Sequence, residues 1–435
     1  MPVVLFIFYN LFVVPLLIGG FYAGSFFNSK MKEGRIARRR QFAWLRNEMA
    51  KAPVQKRILF HCTSAGEWLQ ALPVIEKMKS IDPGLFIMVS FFSPSGYKFA
   101  RNPPEVSLKF YLPLDSWCAA RKLFKLLKPE LWIISKFDIW PNHVLVASGM
   151  KIPVVVISAT LSADSGRDKG ISKMLNKPLF GTISHFFPIS EADKQRFQAL
   201  VPDETRFTIA GDTRYDHVYN RGQKARDAED IPIFEGKALT LIAGSTWPAD
   251  EKHVLPAMVR LLNAFSHIRV IIVPHELHEN HLREIESVFA GAGIAAIRFS
   301  DLQPGQRTPA QVVIFNTIGM LARLYKQTDI AFIGGSFGKG THNVMEPAIF
   351  GQPVIVGPNH LNSHEAGELL TIGAAFTVHG EEELFSKMAL LIRDEQLRTT
   401  MGDKARNLIQ DNTGATDKII NKLKTYGIIP QVYTN

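Results

Sequence analysis

Only two cysteines occur in 435 residues, Cys62 and Cys118. They have no metal-like spacing, so both are expected to be reduced thiols in or near a core, in a reducing compartment. No acidic, basic or histidine side chain occurs between residues 2 and 29. No internal repeat or low-complexity tract is present, and no Ser-His-Asp order or G-x-S-x-G elbow supports a hydrolase. A metal is not expected either. The run His275-Glu276-Leu277-His278-Glu279-Asn280-His281 spaces its histidines three apart, whereas the paired-histidine helix motif needs four, and no cysteine lies near.

The length suits two ordinary domains plus an appendage. The uncharged opening, residues 1–29, is long enough to cross a bilayer core as a helix. A cleaved signal peptide is disfavoured, because no basic residue precedes the apolar run and the run is long. Pro15 and Gly19-Gly20 would kink such a helix, which leaves a tilted or partly interfacial anchor open. Residues 30–57 then hold ten Lys or Arg against Glu33 and Glu48, +8 of the chain's formal +10. By the positive-inside tendency the bulk of the chain is expected on the cytoplasmic face of the inner (plasma) membrane. This juxtamembrane arm, residues 30–56, also suits anionic lipid head groups. Without the arm the chain is almost neutral and has no basic stripe of the kind nucleic acid requires.

Beyond the arm, short apolar runs alternate with helix-length segments. Strands are expected at residues 57–62, 85–91, 131–135, 153–158, 185–189 and 207–210. A charged linker is expected at 219–237. A second series follows at 239–243, 269–274, 294–297, 312–315, 330–333 and 353–356. Such alternation implies βα units with parallel sheets, and two series imply two doubly wound domains, 57–218 and 238–435. Ligands of such sheets sit beyond the carboxyl ends of strands, so the loops there are the places to look.

The loop after strand 330–333, Gly334-Gly335-Ser336-Phe337-Gly338-Lys339-Gly340-Thr341, suits close backbone approach to a ligand. A helix is expected to open from Thr341 onward and to favour an anion at its N-terminus. Glu346 then falls one turn in, where a carboxylate can bond ribose hydroxyls. A tight strand–helix turn with a salt-bridged Glu accounts for the same residues equally well. After strand 57–62, Thr63-Ser64-Ala65-Gly66-Glu67 places Glu67 near a helix N-terminus. There it serves either as a general base or as an acid satisfying the helix dipole. Lys136, after strand 131–135, is either a point charge for an anionic substrate or a solvated loop lysine. Trp140-Pro141-Asn142 reads as a packing and turn element. Arg214 either holds a leaving-group phosphate or pairs with Asp212 or Asp216. Gly244-Ser245-Thr246-Trp247 followed by Asp250-Glu251 repeats the strand–glycine–hydroxyl–acid pattern, for which helix capping is the commoner use.

Taken together, several landmarks resemble the Kdo transferases of Gram-negative bacteria. These are His61…Ser64-Ala65-Gly66-Glu67, Tyr111-Leu112-Pro113-Leu114-Asp115, Trp140-Pro141-Asn142, Leu161-Ser162…Ser165, Gly244-Ser245-Thr246, Gly334-Gly335-Ser336 and His342-Asn343…Glu346. Their order and spacing run from the N-terminal anchor to the last helices. That family moves 3-deoxy-D-manno-octulosonic acid (Kdo) from CMP-Kdo to a lipid A precursor in lipopolysaccharide biosynthesis. The resemblance implies a GT-B fold, two Rossmann-like domains with an interdomain cleft, acceptor on the N-terminal domain and nucleotide sugar on the C-terminal one. It implies Glu67 as catalytic base, with Lys136 and Arg214 at the positions of transition-state stabilisers. The CMP positions it implies are Pro274, His275, Ile318, Gly319, Met320, Asn343, Val344, Met345 and Glu346. No metal or other cofactor is implied, and transfer would proceed by inverting single displacement. Four positions depart from the family pattern. Lys136 stands for an acid, His275 for an Arg, Met320 for a Glu, and Arg214 for a Lys. Two alternatives stay open: a GT-B glycosyltransferase using another nucleotide sugar, and a catalytically inactive membrane-bound binding protein of the same fold.

Overall fold

A computed structural model describes residues 3–136, 138–162, 170–427 and 429. The chain divides into two compact units, residues 1–217 with 413–435, and residues 218–412. In the first unit six strands form one parallel sheet: β1 (Arg57–Cys62), β2 (Phe86–Phe91), β3 (Leu108–Tyr111), β4 (Leu131–Ser135), β5 (Val154–Ala159) and β6 (His185–Pro188). Their order is β3-β2-β1-β4-β5-β6, the order of a doubly wound dinucleotide-binding sheet. Helices cover both faces, so the central strands lose the alternation of a half-exposed sheet. Every residue of β4 and β5 is buried.

The chain leaves several strands through one repeated device. Ser64, Ser93, Ser116 and Ser190 each cap a following helix by accepting from a backbone N–H three residues on. That bond satisfies a helix donor that would otherwise be orphaned. The helix Pro141–Gly149 lacks such a serine, and the buried Asp115 carboxylate replaces it, accepting from Asn142 N at 3.2 Å and His143 N at 3.1 Å. The Trp140-Pro141-Asn142 landmark is therefore a helix start held by Asp115.

The second unit carries β7 (Leu239–Thr246), β8 (Ile268–Pro274), β9 (Ala296–Arg298), β10 (Val312–Ile314), β11 (Ile330–Ile333), β12 (Val354–Val356) and β13 (Ala375–Thr377). The order is β13-β12-β11-β7-β8-β10-β9, parallel throughout.

Four expectations need correction. Residues 207–210 form no strand, since Phe207 makes only an isolated bridge to Phe186. The short strands β3 and β13 were not anticipated, because Lys109 interrupts the one and the other, Ala375–Thr377, is only three residues long. Residues 219–227 are not linker but the continuation of the helix Thr213–Asp227. The last helix, Ala415–Lys424, follows the second series in the chain yet packs in the first unit's core. Its Ala415, Ile419, Ile420 and Leu423 share that core with Trp68, Ala71, Ile75 and Met78. Asp216 holds its start by accepting from Gly414 N at 2.6 Å and Thr416 N at 2.7 Å. Chain order cannot reveal which core an amphipathic helix will cover. The landmark residue Ser165 lies outside the described residues.

Candidate active site

In an open α/β sheet the strand order reverses between two central strands, and the crevice there receives ligands. In the first unit that point lies between β1 and β4; the helix start after β1 carries Glu67 and the loop after β4 carries Lys136. Glu67 sits three residues past the cap Ser64, only 9% exposed. Its Oε2 accepts from Thr63 N, and Ser135 Oγ donates to its carbonyl at 3.1 Å. Burial pushes the Glu67 carboxyl above the usual carboxylate range. The Thr63 N–H, His61 and Lys136 pull it partly back, while Asp138 pushes it further up. A carboxylate so placed is a better proton acceptor than a solvated one.

The sequence marked His61 and Trp140 as landmarks but gave no role to the polar cluster they form beside Glu67. His61 is fully buried, with Nδ1 3.0 Å from Ser90 Oγ and Nε2 3.5 Å from Asp138 Oδ2. Thr63 Oγ1 donates to Asp138, which also accepts from Trp140 Nε1 at 3.2 Å. The available signal was position alone, since His61 lies at the end of β1 and Thr63, Asp138 and Trp140 follow β1 or β4. Lys136 adopts φ 66°, a left-handed conformation rare for a residue with a β-carbon. Such conformations cluster where surrounding structure imposes them, functional sites included.

Arg214 lies in the first unit at the start of the helix Thr213–Asp227. Its Nε and Nη2 donate to Asp212 Oδ2 at 2.9 and 2.7 Å, which is the ion-pair alternative raised above. The pair is tied back to the Glu67 helix, because Gln70 Nε2 donates to Asp212 Oδ1 at 3.1 Å. Thr213 Oγ1 donates to the Gln70 carbonyl at 2.6 Å. Glu67 and Arg214 thus sit on one hydrogen-bonded frame.

The second unit reverses between β7 and β11. After β7 comes Trp247, and after β8 comes His275, whose ring stacks on the indole at 4.3 Å and on His342 at 4.8 Å. Trp247 Nε1 donates to His342 Nε2 at 2.8 Å. Burial and the neighbouring His275 hold the His342 pKa below the usual histidine range, so its ring stays a neutral acceptor. The glycine loop after β11 is moulded around Asp250, whose fully buried carboxylate accepts from Trp247 N at 2.9 Å, Gly335 N at 2.7 Å and Phe337 N at 2.9 Å. Gly334 has no room for a β-carbon, which would overlap the Ser245 backbone. Thr341 Oγ1 in this loop is buried without a hydrogen-bond partner.

The helix expected from Thr341 is shorter than anticipated, a single turn at Met345–Ala348. Pro347 and the tight turn after it limit its length. Glu346 accepts from Arg221 Nη1 at 2.6 Å, so the salt-bridged reading of this residue is the one observed. Asn343 Oδ1 accepts from Met345 N at 3.1 Å. Ile318 is 74% exposed, Gly319 takes φ 90°, and Met320 precedes the helix Leu321–Tyr325. Pro274 ends β8. The histidine run holds no shared centre, since His281 Nε2 is bonded to Glu251 Oε2 at 2.6 Å and its Nδ1 to the Glu276 carbonyl.

Comparison with known proteins resolves the class. The family model for 3-deoxy-D-manno-octulosonic-acid transferase (Kdo transferase) matches residues 34–217. A 3-deoxy-D-manno-octulosonic acid transferase of Haemophilus influenzae is 25% identical over 87% of this chain and 88% of its own. One of Chlamydia pneumoniae is 27% identical over 85% of each. Over most of its length, this chain is similar to the Kdo transferases. Kdo transferases are glycosyltransferases, and the fold agrees. The UDP-GlcNAc 2-epimerase of Neisseria meningitidis superposes with TM-score 0.57 at 14% identity, covering 85% of this chain and all of that one. Acinetobacter baumannii MurG gives 0.53 at 15% identity, over 85% of this chain and 99% of its own. The architecture is GT-B, with two Rossmann-like units in one chain.

Proposed function

We propose that this chain is a Kdo transferase that moves Kdo from CMP-Kdo to the hydroxyl of a lipid A precursor in lipopolysaccharide biosynthesis, by inverting single displacement. The observation that carries the reading is Glu67: a buried carboxyl, raised in pKa, at the strand-reversal point of the first unit. Glu67 takes the acceptor's proton as its oxygen attacks the anomeric carbon, and CMP departs with the bonding pair. Lys136 and Arg214 supply positive charge where negative charge develops. Arg214 pairs with the Asp212 carboxylate, and the Gln70 bond orients that pair.

The donor is assigned to the second unit. Pro274-His275, Ile318-Gly319-Met320 and Asn343-Val344-Met345-Glu346 contact CMP. The stacked Trp247, His275 and His342 rings offer a flat face of the kind a base or sugar packs on. Backbone N–H groups and protein cations neutralise a monophosphate leaving group, so the reading requires no metal. The basic arm keeps the enzyme on the cytoplasmic face of the inner membrane, beside anionic lipids and the lipid acceptor.

The test is transfer from freshly generated CMP-Kdo to a tetraacylated lipid A precursor, read by mass spectrometry. A product heavier by one or more Kdo units supports the reading and counts the additions. Stabilisation by UDP or GDP in place of CMP, with no such product, overturns the donor assignment.

A further inference from the structure

The opening apolar helix has the length of a membrane span, 22 residues from Phe6 to Phe27. It also has a side. Phe6, Tyr9, Asn10, Val13, Val14, Ile18, Phe21, Gly24 and Ser25 are buried or half-buried, and they recur at helical spacing over its whole length. That stripe rests on the first unit at both ends. Near the N-terminal end the Phe6 ring meets Trp117 edge-on at 5.1 Å, and Tyr9 Oη donates to Asp115 Oδ2 at 2.7 Å. Near the other end Phe21 packs on Phe92 at 6.5 Å, under the Arg38 guanidinium. Arg38 itself is bolted to the body through the Leu112 and Phe92 carbonyls, at 2.8 and 2.9 Å.

These contacts bear on topology. From Tyr9 to Phe27 the helix rises about 27 Å at 1.5 Å per residue, nearly the full hydrocarbon thickness. Were the helix upright, the Asp115 carboxylate would lie near the far side of the membrane. So would the helix Trp117–Leu127, with Arg121, Lys122 and Lys125 exposed on it. Charged side chains and a loop cannot sit in lipid in that way. The opposite face carries Val4, Ile7, Phe8, Leu11, Phe12, Leu16, Leu17, Phe26 and Phe27, each more than half exposed. Next to it, Lys30, Lys32 and Arg46 on the two following helices, and Arg39 and Arg40 in the turn between them, are exposed.

We infer that residues 3–27 do not cross the bilayer but lie in the plane of one leaflet, with the N-terminus on the same side as the two Rossmann-like units. The surface this creates fits an anionic bilayer: an apolar strip about 36 Å long for the acyl region, bordered by cations for phosphate head groups. The inference does not depend on which sugar is transferred.

Two measurements on the full-length chain test it. A short protease-sensitive epitope at the N-terminus, probed in spheroplasts with external protease, is expected to stay intact until the cells are lysed. Cleavage in intact spheroplasts would place the N-terminus outside and overturn the inference. Nitroxide labels at Ile7→Cys, Leu11→Cys, Leu17→Cys and Phe26→Cys, in a Cys118→Ser background reconstituted in anionic vesicles, are expected to report one shallow depth. A deepest point at Leu17, with Ile7 and Phe26 near opposite head groups, overturns it equally. Cys62 is buried and does not compete for label.

Discussion

Glu67→Gln separates what Glu67 does in catalysis from what it costs the fold. The amide keeps the length of the side chain and an oxygen that accepts from Thr63 N, so the loop after β1 should hold its shape. Only the capacity to take a proton is lost. General-base catalysis contributes about 10²- to 10⁴-fold, and at 1.36 kcal/mol per decade the barrier should rise by about 3 to 5 kcal/mol. The donor is assigned to the other unit, so the loss should appear in kcat while the donor KM stays near wild type. Stability should move the other way. Burial raises the folded-state pKa of Glu67, so between its unfolded and folded values the native state holds more protons than the unfolded chain. Wild-type stability therefore falls as pH rises through that window. The glutamine enzyme lacks this loss and should gain on wild type over the same window, with the advantage retained above the folded value. Product mass spectrometry gives the first effect and denaturant unfolding at a series of pH values gives the second. Wild-type turnover by a folded Glu67→Gln protein would refute the base, and a stability difference independent of pH would refute the buried, proton-holding carboxyl.

Three other outcomes follow from named contacts. Gly334→Ala should cost about 1 to 3 kcal/mol, the range for overpacking, and should abolish the thermal shift given by CMP, because the β-carbon overlaps the Ser245 backbone; a neutral effect would mean that the loop is not held there. Asp250→Ala leaves the N–H groups of Trp247, Gly335 and Phe337 without their carboxylate, at a cost of about 3 kcal/mol or more from the worth of hydrogen bonds to charged groups; denaturant titration measures it, and a loss under 1 kcal/mol counts against the role of Asp250 in shaping the loop. His275→Arg places a permanent charge beside the Trp247 stack, and calorimetry with CMP should show tighter binding, whereas weaker binding would show that the stacked imidazole itself is what the site uses.

Much of the architecture was legible because the interior strands obey a simple rule. A strand covered on both faces is mostly apolar, so 57–62, 131–135 and 330–333 stood out as runs bounded by small or charged residues. The landmarks around Glu67, Gly334 and His342 marked the loops that close each sheet, since backbone geometry there restricts residue type. Charge counting located the arm, because ionic composition needs no fold to be read.

Tertiary structure decided the rest. The pairing of His61, Thr63 and Asp138 around Glu67 joins residues some 75 positions apart, and no spacing rule links two neighbouring strands in a parallel sheet. Whether Arg214 and Glu346 face a ligand or a partner depended on where Asp212 and Arg221 came to rest. The terminal helix joined the first core because its Ala415–Leu423 face fits the side of Ala65–Ile81, a choice made by shape and by Asp216 rather than by order in the chain. The first helix shows the same division. Composition alone marks an uncharged run long enough to cross a membrane. The face it turns to the first unit was set by contacts such as the one from Tyr9 to the buried Asp115, across more than a hundred residues.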